Sequence, residues 1–293
     1  MEQLQIKRCN IELTNRCNMR CRMCGDKHER EFVDMKIEEF RSIVDGVVES
    51  SAFHKKELPE FRLFLSGEPT LYPQLQQAIL YLCQKKAKSI LIHTNGLMAG
   101  RLCFLYPLSE YLDDMKLTIV FSLDGEDSHD WAQLKGCPEY MYDKVLKNIS
   151  LLHELEIENL EIKIQCCLSR QKLPKMAEVR KSISVEAGVS EEIVTVRPMH
   201  NWDEADSILG ATVLNYGLRC DFMYHDLVIY SNGLVGLCCA DLNARTTFGH
   251  IGCRFNYNAY AAFNTIRRKI MRENMKQKNS FMPCSGCERY GIK

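Results

Sequence analysis

The first two thirds of the chain alternate short apolar runs rich in β-branched residues with longer runs of helical period. The predicted strands are Ile6–Leu13, Phe61–Ser66, Ser89–Thr94, Leu117–Ser122, Leu160–Cys167 and Ile193–Arg197. The predicted helices between them are Ile37–Glu49, Leu75–Lys85, Arg101–Leu112, Tyr142–Leu155 and Leu173–Ala187. Strict alternation favours parallel strands joined by crossover helices, so we predict an α/β fold. Six strands are too few for the closed eight-stranded barrel, which leaves an open sheet or a partial barrel.

The pattern changes after about residue 200. Leu227–Tyr230 and Leu234–Leu237 flank an Asn-Gly turn, which predicts a β-hairpin, and a helix is predicted over Ala259–Lys276. The last cysteines stand in Cys284-Ser-Gly-Cys287. We therefore expect a core over residues 1–205 and a small α+β unit over residues 206–293 that packs directly on it.

Cysteine is the unusual feature of the composition, with 15 in 293 residues. The 38 basic and 38 acidic residues cancel, so no bulk charge recruits nucleic acid or an anionic membrane. No apolar run reaches the roughly 18 residues of a membrane span, and the start lacks the apolar segment of a secretory signal. We expect a cytoplasmic protein whose clustered thiols are metal ligands or reactive groups.

Three cysteines, Cys17, Cys21 and Cys24, follow the first predicted strand at spacings of four and three. In a loop they can converge on one cofactor. Three thiolates leave one iron of a four-iron four-sulfur cluster open to a substrate or cosubstrate. A structural zinc site would need a fourth ligand, and zinc sites usually pair two Cys-x-x-Cys turns. The spacing therefore favours iron–sulfur over zinc.

This segment, Glu12-Leu-Thr-Asn-Arg-Cys17-x-x-x-Cys21-x-x-Cys24, resembles the signature of the radical SAM enzymes, in the form seen in members with a SPASM-type C-terminal extension. Three further motifs at predicted strand ends stand at the spacing of that family. They are Ser66-Gly67-Glu68-Pro69, Thr94-Asn95-Gly96 and Ser122-Leu-Asp124-Gly. The resemblance implies a partial (β/α)6 barrel in which Gly67, Glu68, Pro69, Asn95, Ser122, Asp124 and Met23 contact S-adenosylmethionine (SAM). It also implies that the reduced cluster cleaves SAM to a 5′-deoxyadenosyl radical, which abstracts a substrate hydrogen.

A second set of cysteines lies in the C-terminal unit, where a hairpin end and a Cys-x-x-Cys turn can present four thiolates to zinc or to a second cluster. Cys238-Cys239-Ala-Asp241, followed by Phe-Gly-His-Ile, resembles the SPASM/twitch region of the same family. The abbreviated cysteine set resembles its single-cluster, twitch-type form. The resemblance implies an auxiliary four-iron four-sulfur cluster on Cys220, Cys238, Cys284 and Cys287, with no iron left for substrate.

Cys239 is then left over. It is either a small buried hydrophobe beside a ligand or a hydrogen-atom donor that quenches a substrate radical from the face opposite abstraction. The second reading fits radical SAM epimerases, in which a Cys-Cys pair or a donor thiol occurs. The alternative is an alcohol dehydrogenase similar to the scyllo-inosamine dehydrogenase of the butirosin pathway, with the auxiliary cluster as electron acceptor.

Other side chains have simpler interpretations. One of Cys166 and Cys167 must point into the barrel, because side chains alternate along a strand. Arg197 is expected in a structural ion pair or against a substrate carboxylate, and His200 with Trp202 in loop packing. The basic set of the last predicted helix is expected to form a solvated face: Arg267, Arg268, Lys269, Arg272 and Lys276.

We therefore predict a radical SAM oxidoreductase or isomerase, either a carbon epimerase that uses Cys239 or an alcohol dehydrogenase. The third hypothesis is a non-catalytic metal-binding module. The intact SAM motifs argue against it. The expected substrate is a small polar molecule such as a sugar or aminocyclitol, or a peptide. The short stretch before the first strand leaves no room for a leader-binding domain, which favours the small molecule. Flavodoxin or ferredoxin is the expected reductant.

Overall fold

The computed structural model describes residues 4–24, 29–112, 115–199 and 220–273. Six parallel strands follow in chain order across the first part of its sheet: β1 (Arg8–Ile11), β2 (Glu60–Arg62), β3 (Ser89–Thr94), β4 (Lys116–Ser122), β5 (Leu160–Leu168) and β6 (Val194–Pro198). A sheet edge at β6 leaves the arc open. The predicted α/β class with a partial barrel is confirmed.

The C-terminal residues extend the same sheet at its other side. Strand β7 (Asp226–Ile229) pairs in parallel with β1, and β8 (Leu234–Gly236) returns antiparallel to it, as the Asn-Gly turn predicted. A strand that the sequence did not predict, β9 (Thr247–His250), then pairs with β8. Nine strands of the described residues therefore form one sheet, in the order β6-β5-β4-β3-β2-β1-β7-β8-β9.

Helices fill the crossovers and the C-terminal end. They are α1 (Ile37–Phe53), α2 (Leu75–Gln84), α3 (Leu105–Leu108), α4 (Ser128–Lys135), α5 (Met141–His153), α6 (Met176–Ala187), α7 (Asp221–His225), α8 (Ile251–Phe255), α9 (Ala259–Phe263) and α10 (Ile266–Glu273). Helix α4 was not predicted from the sequence. Asp127 caps this helix by accepting from the Asp130 amide at 2.8 Å, and Gly136 ends it in the left-handed conformation.

Alternation along the strands separates the core from the concave face. On β3, Ile90 and Ile92 are fully buried in the main core, whereas Leu91 and His93 line an open cavity. On β5, Cys166 is buried in the core and Cys167 lines that cavity. One of this pair therefore faces the concave side, as period-two geometry requires.

Two predicted helices differ from the structure. The segment Arg101–Leu112 is a short α3 between two 3₁₀ turns, because Pro107 lacks the amide that a continuous helix would use. The predicted helix Ala259–Lys276 is two helices with a break at Asn264 and Thr265; the Thr265 hydroxyl accepts from the Arg268 amide and restarts the helix. Residues beyond Glu273 lie outside the described part.

The prediction that the basic residues of this helix form a solvated face was wrong for Arg268 and Arg272. Arg268 is 0% exposed and Arg272 is 6% exposed. Arg267 and Lys269 are exposed as expected, and Lys276 lies outside the described residues. Within the described residues, no helix has the length and apolarity that a bilayer crossing needs.

Candidate active site

The loop after β1 carries the three cysteines and is held against α4. The Arg22 amide donates to the carbonyl of Leu134 at 2.8 Å, and the Cys24 amide donates to the carbonyl of Cys21 at 3.1 Å. A side chain at Gly136 would meet the carbonyl oxygen of Arg20 at 2.7 Å, so the end of α4 can approach the loop only as glycine. The cysteine loop is therefore a packed feature of the fold.

Burial sets the protonation of these thiols. It raises the pKa of Cys17 to about 11 and also raises the pKa of Cys21, although the ammonium of Lys135 opposes the second shift. The free thiols of Cys17 and Cys21 are therefore protonated near neutral pH. Metal binding needs thiolates, so cluster insertion must release protons here.

The donor set fits a cluster better than a single ion. Within the described ranges, no group of three Cys, His, Asp or Glu side chains could hold a metal ion. A four-iron cluster has a different requirement, since each thiolate binds its own iron and the sulfur atoms stay apart. Cys17, Cys21 and Cys24 share one short loop, and Cys21 and Cys24 line a cavity.

Glu68 joins two of the predicted SAM motifs. Its Oε1 accepts from the Thr70 amide at 3.0 Å and from the hydroxyls of Thr70 and Thr94, each at 2.7 Å. Its Oε2 accepts from the Asn95 amide at 2.8 Å. The Asn95 side chain in turn donates to Asn18 Oδ1 at 2.8 Å, inside the cysteine loop. The carboxylate therefore fixes the ends of β2 and β3 against the thiols.

Glu12 is a second buried carboxylate at these strand ends. It forms a bidentate ion pair with Arg30, at 2.9 and 2.6 Å, and accepts from the Ser66 hydroxyl at 2.5 Å. The Ser231 amide and hydroxyl also donate to it, at 3.0 and 2.8 Å. Glu12 therefore links the end of β1 to the motif after β2 and to the C-terminal hairpin.

Asp124 has a partner that the sequence analysis missed. Lys135 Nζ lies 2.6 Å from its Oδ2, and the Cys167 amide donates to its Oδ1 at 2.9 Å. Burial alone would lower the pKa of Lys135, but attraction to Asp124 and Cys21 outweighs it and raises that pKa. The fold thus places a fixed cation beside the cysteine loop. The signal that could have found it was the Asp127 cap and Gly136 stop around α4.

A cavity of about 420 Å³ opens on the concave face of the sheet. Several predicted site residues line it: Cys21, Met23, Cys24, Ser122, Asp124 and Cys239. Polar side chains on its strands include Arg62, His93, Gln165 and Arg197. Phe64 and Phe222 add apolar surface. Cys21 and Cys24 of the N-terminal loop and the C-terminal Cys239 therefore line one space.

Other predicted residues surround this space without lining it. Cys17 is near Glu68, as their electrostatic interaction indicates, and Gly67 lies where a side chain would meet the carbonyl oxygen of Thr14 at 2.1 Å. Pro69 begins a 3₁₀ turn that Glu68 caps. Gly67 is therefore needed for the close approach of the motif after β2 to the segment before the thiols.

The C-terminal cysteines meet in part. The hydrogen bond with Cys239, burial and the nearby Cys220 raise the pKa of Cys238 well above its ordinary value, so these three thiols lie close together. Their loop is anchored by Tyr230, whose hydroxyl donates to the carbonyl of Asp241 at 2.5 Å. The other two expected ligands, Cys284 and Cys287, lie outside the described residues, as do His200 and Trp202.

The family model for the radical SAM superfamily matches residues 11–170, more than half of the chain. The chain belongs to the radical SAM superfamily. Membership implies SAM and a SAM-binding four-iron four-sulfur cluster as cofactors, and it makes the chain an enzyme by family.

Among curated proteins, the chain is similar to a cofactor-modifying protein for tungsten-containing aldehyde ferredoxin oxidoreductase from Pyrococcus furiosus. The two are 24% identical over 198 residues, covering 64% of this chain and 52% of that protein. The chain therefore spans about half the length of the curated relative it matches.

Solved structures share the fold. BtrN in complex with AdoMet and 2-DOIA superposes with a TM-score of 0.56 at 13% identity, covering 100% of this chain and 95% of BtrN. Streptococcus suis SuiB bound to S-adenosylmethionine gives 0.64 at 17% identity, covering 97% and 72%. The protein anSMEcpe with bound AdoMet gives 0.64 at 15% identity, covering 96% and 84%. At these identities the likeness concerns the fold.

Proposed function

We propose that this radical SAM enzyme abstracts a hydrogen atom from its substrate and inverts the carbon centre, with Cys239 as the hydrogen donor. The observation that carries the proposal is that Cys239 lines the same cavity as Cys21 and Cys24. A substrate in that cavity would have the radical source on one side and a thiol on another. Redox-neutral inversion needs this two-sided arrangement.

In this proposal Cys17, Cys21 and Cys24 hold the first cluster, which together with SAM supplies the 5′-deoxyadenosyl radical. Ser122, Asp124 and Met23 line the cavity beside these thiols and would contact SAM. Glu68 and Asn95 act from the neighbouring strand ends, and Gly67 and Pro69 shape that motif. Lys135, paired with Asp124, adds a buried positive charge suited to the SAM carboxylate.

The proposed auxiliary cluster uses Cys220, Cys238, Cys284 and Cys287, within a C-terminal unit of residues 206–293 that follows a core of residues 1–205. The proximity of Cys220 to Cys238 supports the first two ligands. Because Cys239 follows Cys238 directly, the donor thiol would be adjacent to a cluster ligand. An electron can then reach the donor over a short distance.

Each turnover of the proposed epimerisation consumes one SAM and two external electrons. One external electron cleaves SAM, and the deoxyadenosyl group takes a hydrogen atom from the substrate carbon. The Cys239 S–H bond then breaks, its hydrogen forms the new C–H bond, and a thiyl radical remains on sulfur. One further electron and a proton restore the thiol. Flavodoxin or ferredoxin would supply both electrons.

The cavity suits a small polar substrate. Arg62, His93, Gln165 and Arg197 present hydrogen-bonding groups from four different strands or strand ends. A sugar or an aminocyclitol has hydroxyl and amino groups that can form hydrogen bonds with these side chains. A peptide is the other substrate class, because only one residue needs to enter the cavity.

The second candidate function is alcohol dehydrogenation with the auxiliary cluster as electron acceptor. The observation that favours it is the proximity of Cys220 to Cys238, which supports an auxiliary cluster able to accept the electron. In this route the substrate radical loses its hydroxyl proton and passes one electron to the auxiliary cluster, which leaves a ketone. Arg197 in the cavity would lie near the departing proton and favour its loss.

The two reactions are separated by turnover in deuterated water. A thiol exchanges its hydrogen with solvent, so epimerisation places one deuterium on the inverted carbon, while 5′-deoxyadenosine carries substrate hydrogen. Dehydrogenation instead yields a ketone and no deuterium at that carbon. The variant Cys239→Ala should still form 5′-deoxyadenosine but lose the epimer.

The matched control is Cys253→Ala, at an exposed cysteine of the same C-terminal region, which should turn over like the wild type. Formation of the epimer by Cys239→Ala would contradict the assignment of Cys239 as the hydrogen donor. Absence of any SAM cleavage under reducing conditions, with the first cluster loaded, would instead support a non-catalytic metal-binding module.

A further inference from the structure

Helix α10 buries an arginine against the end of the C-terminal hairpin. Arg268 Nη2 donates to the carbonyl oxygens of Asp226 and Leu237, the latter at 3.2 Å, and Nη1 donates to that of Gly236 at 3.4 Å. Its guanidinium also stacks 4.8 Å from the ring centre of Phe263. Leu237 directly precedes Cys238, so the cation lies next to a proposed cluster ligand.

A second buried arginine stands one helical turn further on. Arg272 Nε donates to the carbonyl oxygen of Met223 at 3.0 Å, and Nη2 donates to that of Phe263 at 3.2 Å. Residues four apart share a helix face, so both guanidinium groups enter the same region. Both guanidinium groups lie against the ring of Phe263, and Arg268 also reaches the carbonyl oxygen of the residue before Cys238.

Arg268 lacks a counter-ion in the part of the chain that the structure describes. No carboxylate there forms an ion pair with it, and its Nε, which is inaccessible to solvent, has no acceptor. Asp226, the nearest carboxylate that acts on it, is already paired with Arg8. A buried cation without a counter-ion is destabilising even when carbonyl groups accept its hydrogen bonds, which points to a negative group that completes this region.

The hydrogen bond from Arg268 to the carbonyl oxygen of Leu237, the residue before Cys238, indicates where that negative group belongs. Burial, followed by repulsion from Arg272, lowers the pKa of Arg268 to about 9, while Asp226, Cys238 and Cys220 act in the opposite direction. A guanidinium keeps its proton in proteins, so the charge itself must be balanced. Cys238 and Cys220 are the thiols proposed to carry the auxiliary cluster.

We propose that Arg268, supported by Arg272, is the counter-charge of the auxiliary cluster and raises its reduction potential. This inference rests on the proposed auxiliary cluster. A four-iron cluster with four thiolates carries roughly two negative charges when oxidised and one more when reduced. A fixed cation in a dry environment stabilises the reduced form more than the oxidised form, so the cluster accepts an electron more readily. Arg268 thus acts on the cluster through its charge and has no contact with the substrate.

The test is a redox titration of the auxiliary cluster, followed by electron paramagnetic resonance, in the full chain with Cys17, Cys21 and Cys24 replaced by alanine. In that background only the auxiliary cluster contributes a signal. Arg268→Gln keeps hydrogen-bond donors but removes the charge, and Arg268→Lys keeps the charge. Arg267→Gln, at the exposed neighbouring position of α10, is the matched control.

We expect Arg268→Gln to change the ratio of reduced to oxidised cluster at fixed potential at least tenfold, which is about 59 mV more negative for one electron. Arg268→Lys and Arg267→Gln should stay close to the parent. An unchanged midpoint in Arg268→Gln, with full iron content, would overturn the inference while leaving the auxiliary cluster in place.

Two other outcomes are equally decisive. If Arg268→Gln does not retain iron, Arg268→Lys must retain both iron and midpoint; loss in both variants assigns Arg268 to packing and overturns the counter-charge role. If the parent itself holds zinc or no metal, the proposed auxiliary cluster has failed, and this is known before any arginine is changed.

Discussion

Lys135 and Asp124 form an ion pair of 2.6 Å whose side chains are 3% and 7% exposed, beside the cysteine loop. Asp124 belongs to the predicted SAM motif that follows β4, and Lys135 closes the next helix. Their contact therefore fixes α4 to the mouth of the partial barrel. Removing either side chain would leave the other charge buried without its partner, which is strongly destabilising.

Replacing Lys135 by methionine should destabilise the protein by about 3–5 kcal/mol, because Asp124 would be left buried without its cation. Urea unfolding monitored by circular dichroism measures this loss. The double variant with Asp124→Leu should recover part of it, since the unpaired charge is then gone. Lys116→Met, in an exposed pair with Glu161, is the control, with an expected change of less than about 1 kcal/mol. Equal losses for both lysines would contradict the buried-pair interpretation.

Gly67→Ala should disrupt the motif after β2, because the added methyl would meet the carbonyl oxygen of Thr14 at 2.1 Å. We expect a loss of about 1–3 kcal/mol in unfolding free energy and weaker SAM binding by equilibrium dialysis. Gly100→Ala is the matched control, since nothing lies within 4 Å of its added methyl. Normal SAM binding in Gly67→Ala would show that the two loops need not approach so closely.

Glu126 should contribute to stability at neutral pH and lose that contribution in acid. Hydrogen bonds from Lys175 and Lys172 lower its pKa below the ordinary value of 4.5. The unfolded chain then binds more protons than the folded chain between the two pKa values, so the stabilisation is complete above about pH 4.5 and is lost below it. Unfolding at a series of pH values should show that the unfolding free energy of Glu126→Gln falls less steeply in acid than that of the wild type. High salt should reduce the difference, because Lys175 is exposed and the pair lies at the surface.

Anaerobic preparations should contain about eight irons per chain, with matching sulfide, if both clusters form. Replacing Cys17, Cys21 and Cys24 by alanine should leave about four. Iron, sulfide and zinc analysis of both proteins measures this. About four irons falling to none, with one zinc remaining, would make the C-terminal site structural and remove the electron acceptor of the dehydrogenase route.

The amino-acid sequence alone determined the fold class and the superfamily. Strict alternation of strand and helix patterns is a local property, and β1 to β6 follow it in chain order. The spacing of Cys17, Cys21 and Cys24 is equally local, because a short loop brings its own residues together. The Asn-Gly turn between β7 and β8 was readable for the same reason.

The tertiary structure decided which side chains meet. Lys135 was missed because α4 has little apolar periodicity, and its partner Asp124 is fixed by the contact of helix with strand end. Arg268 and Arg272 resemble a solvated face in sequence, but pairing of β7 with β1 and packing of α10 over the hairpin enclose them. Only the same pairing, between residues more than 200 apart in the chain, brings Cys239 to the cavity of Cys21 and Cys24. Burial and proximity depend on long-range packing, which a local pattern does not encode.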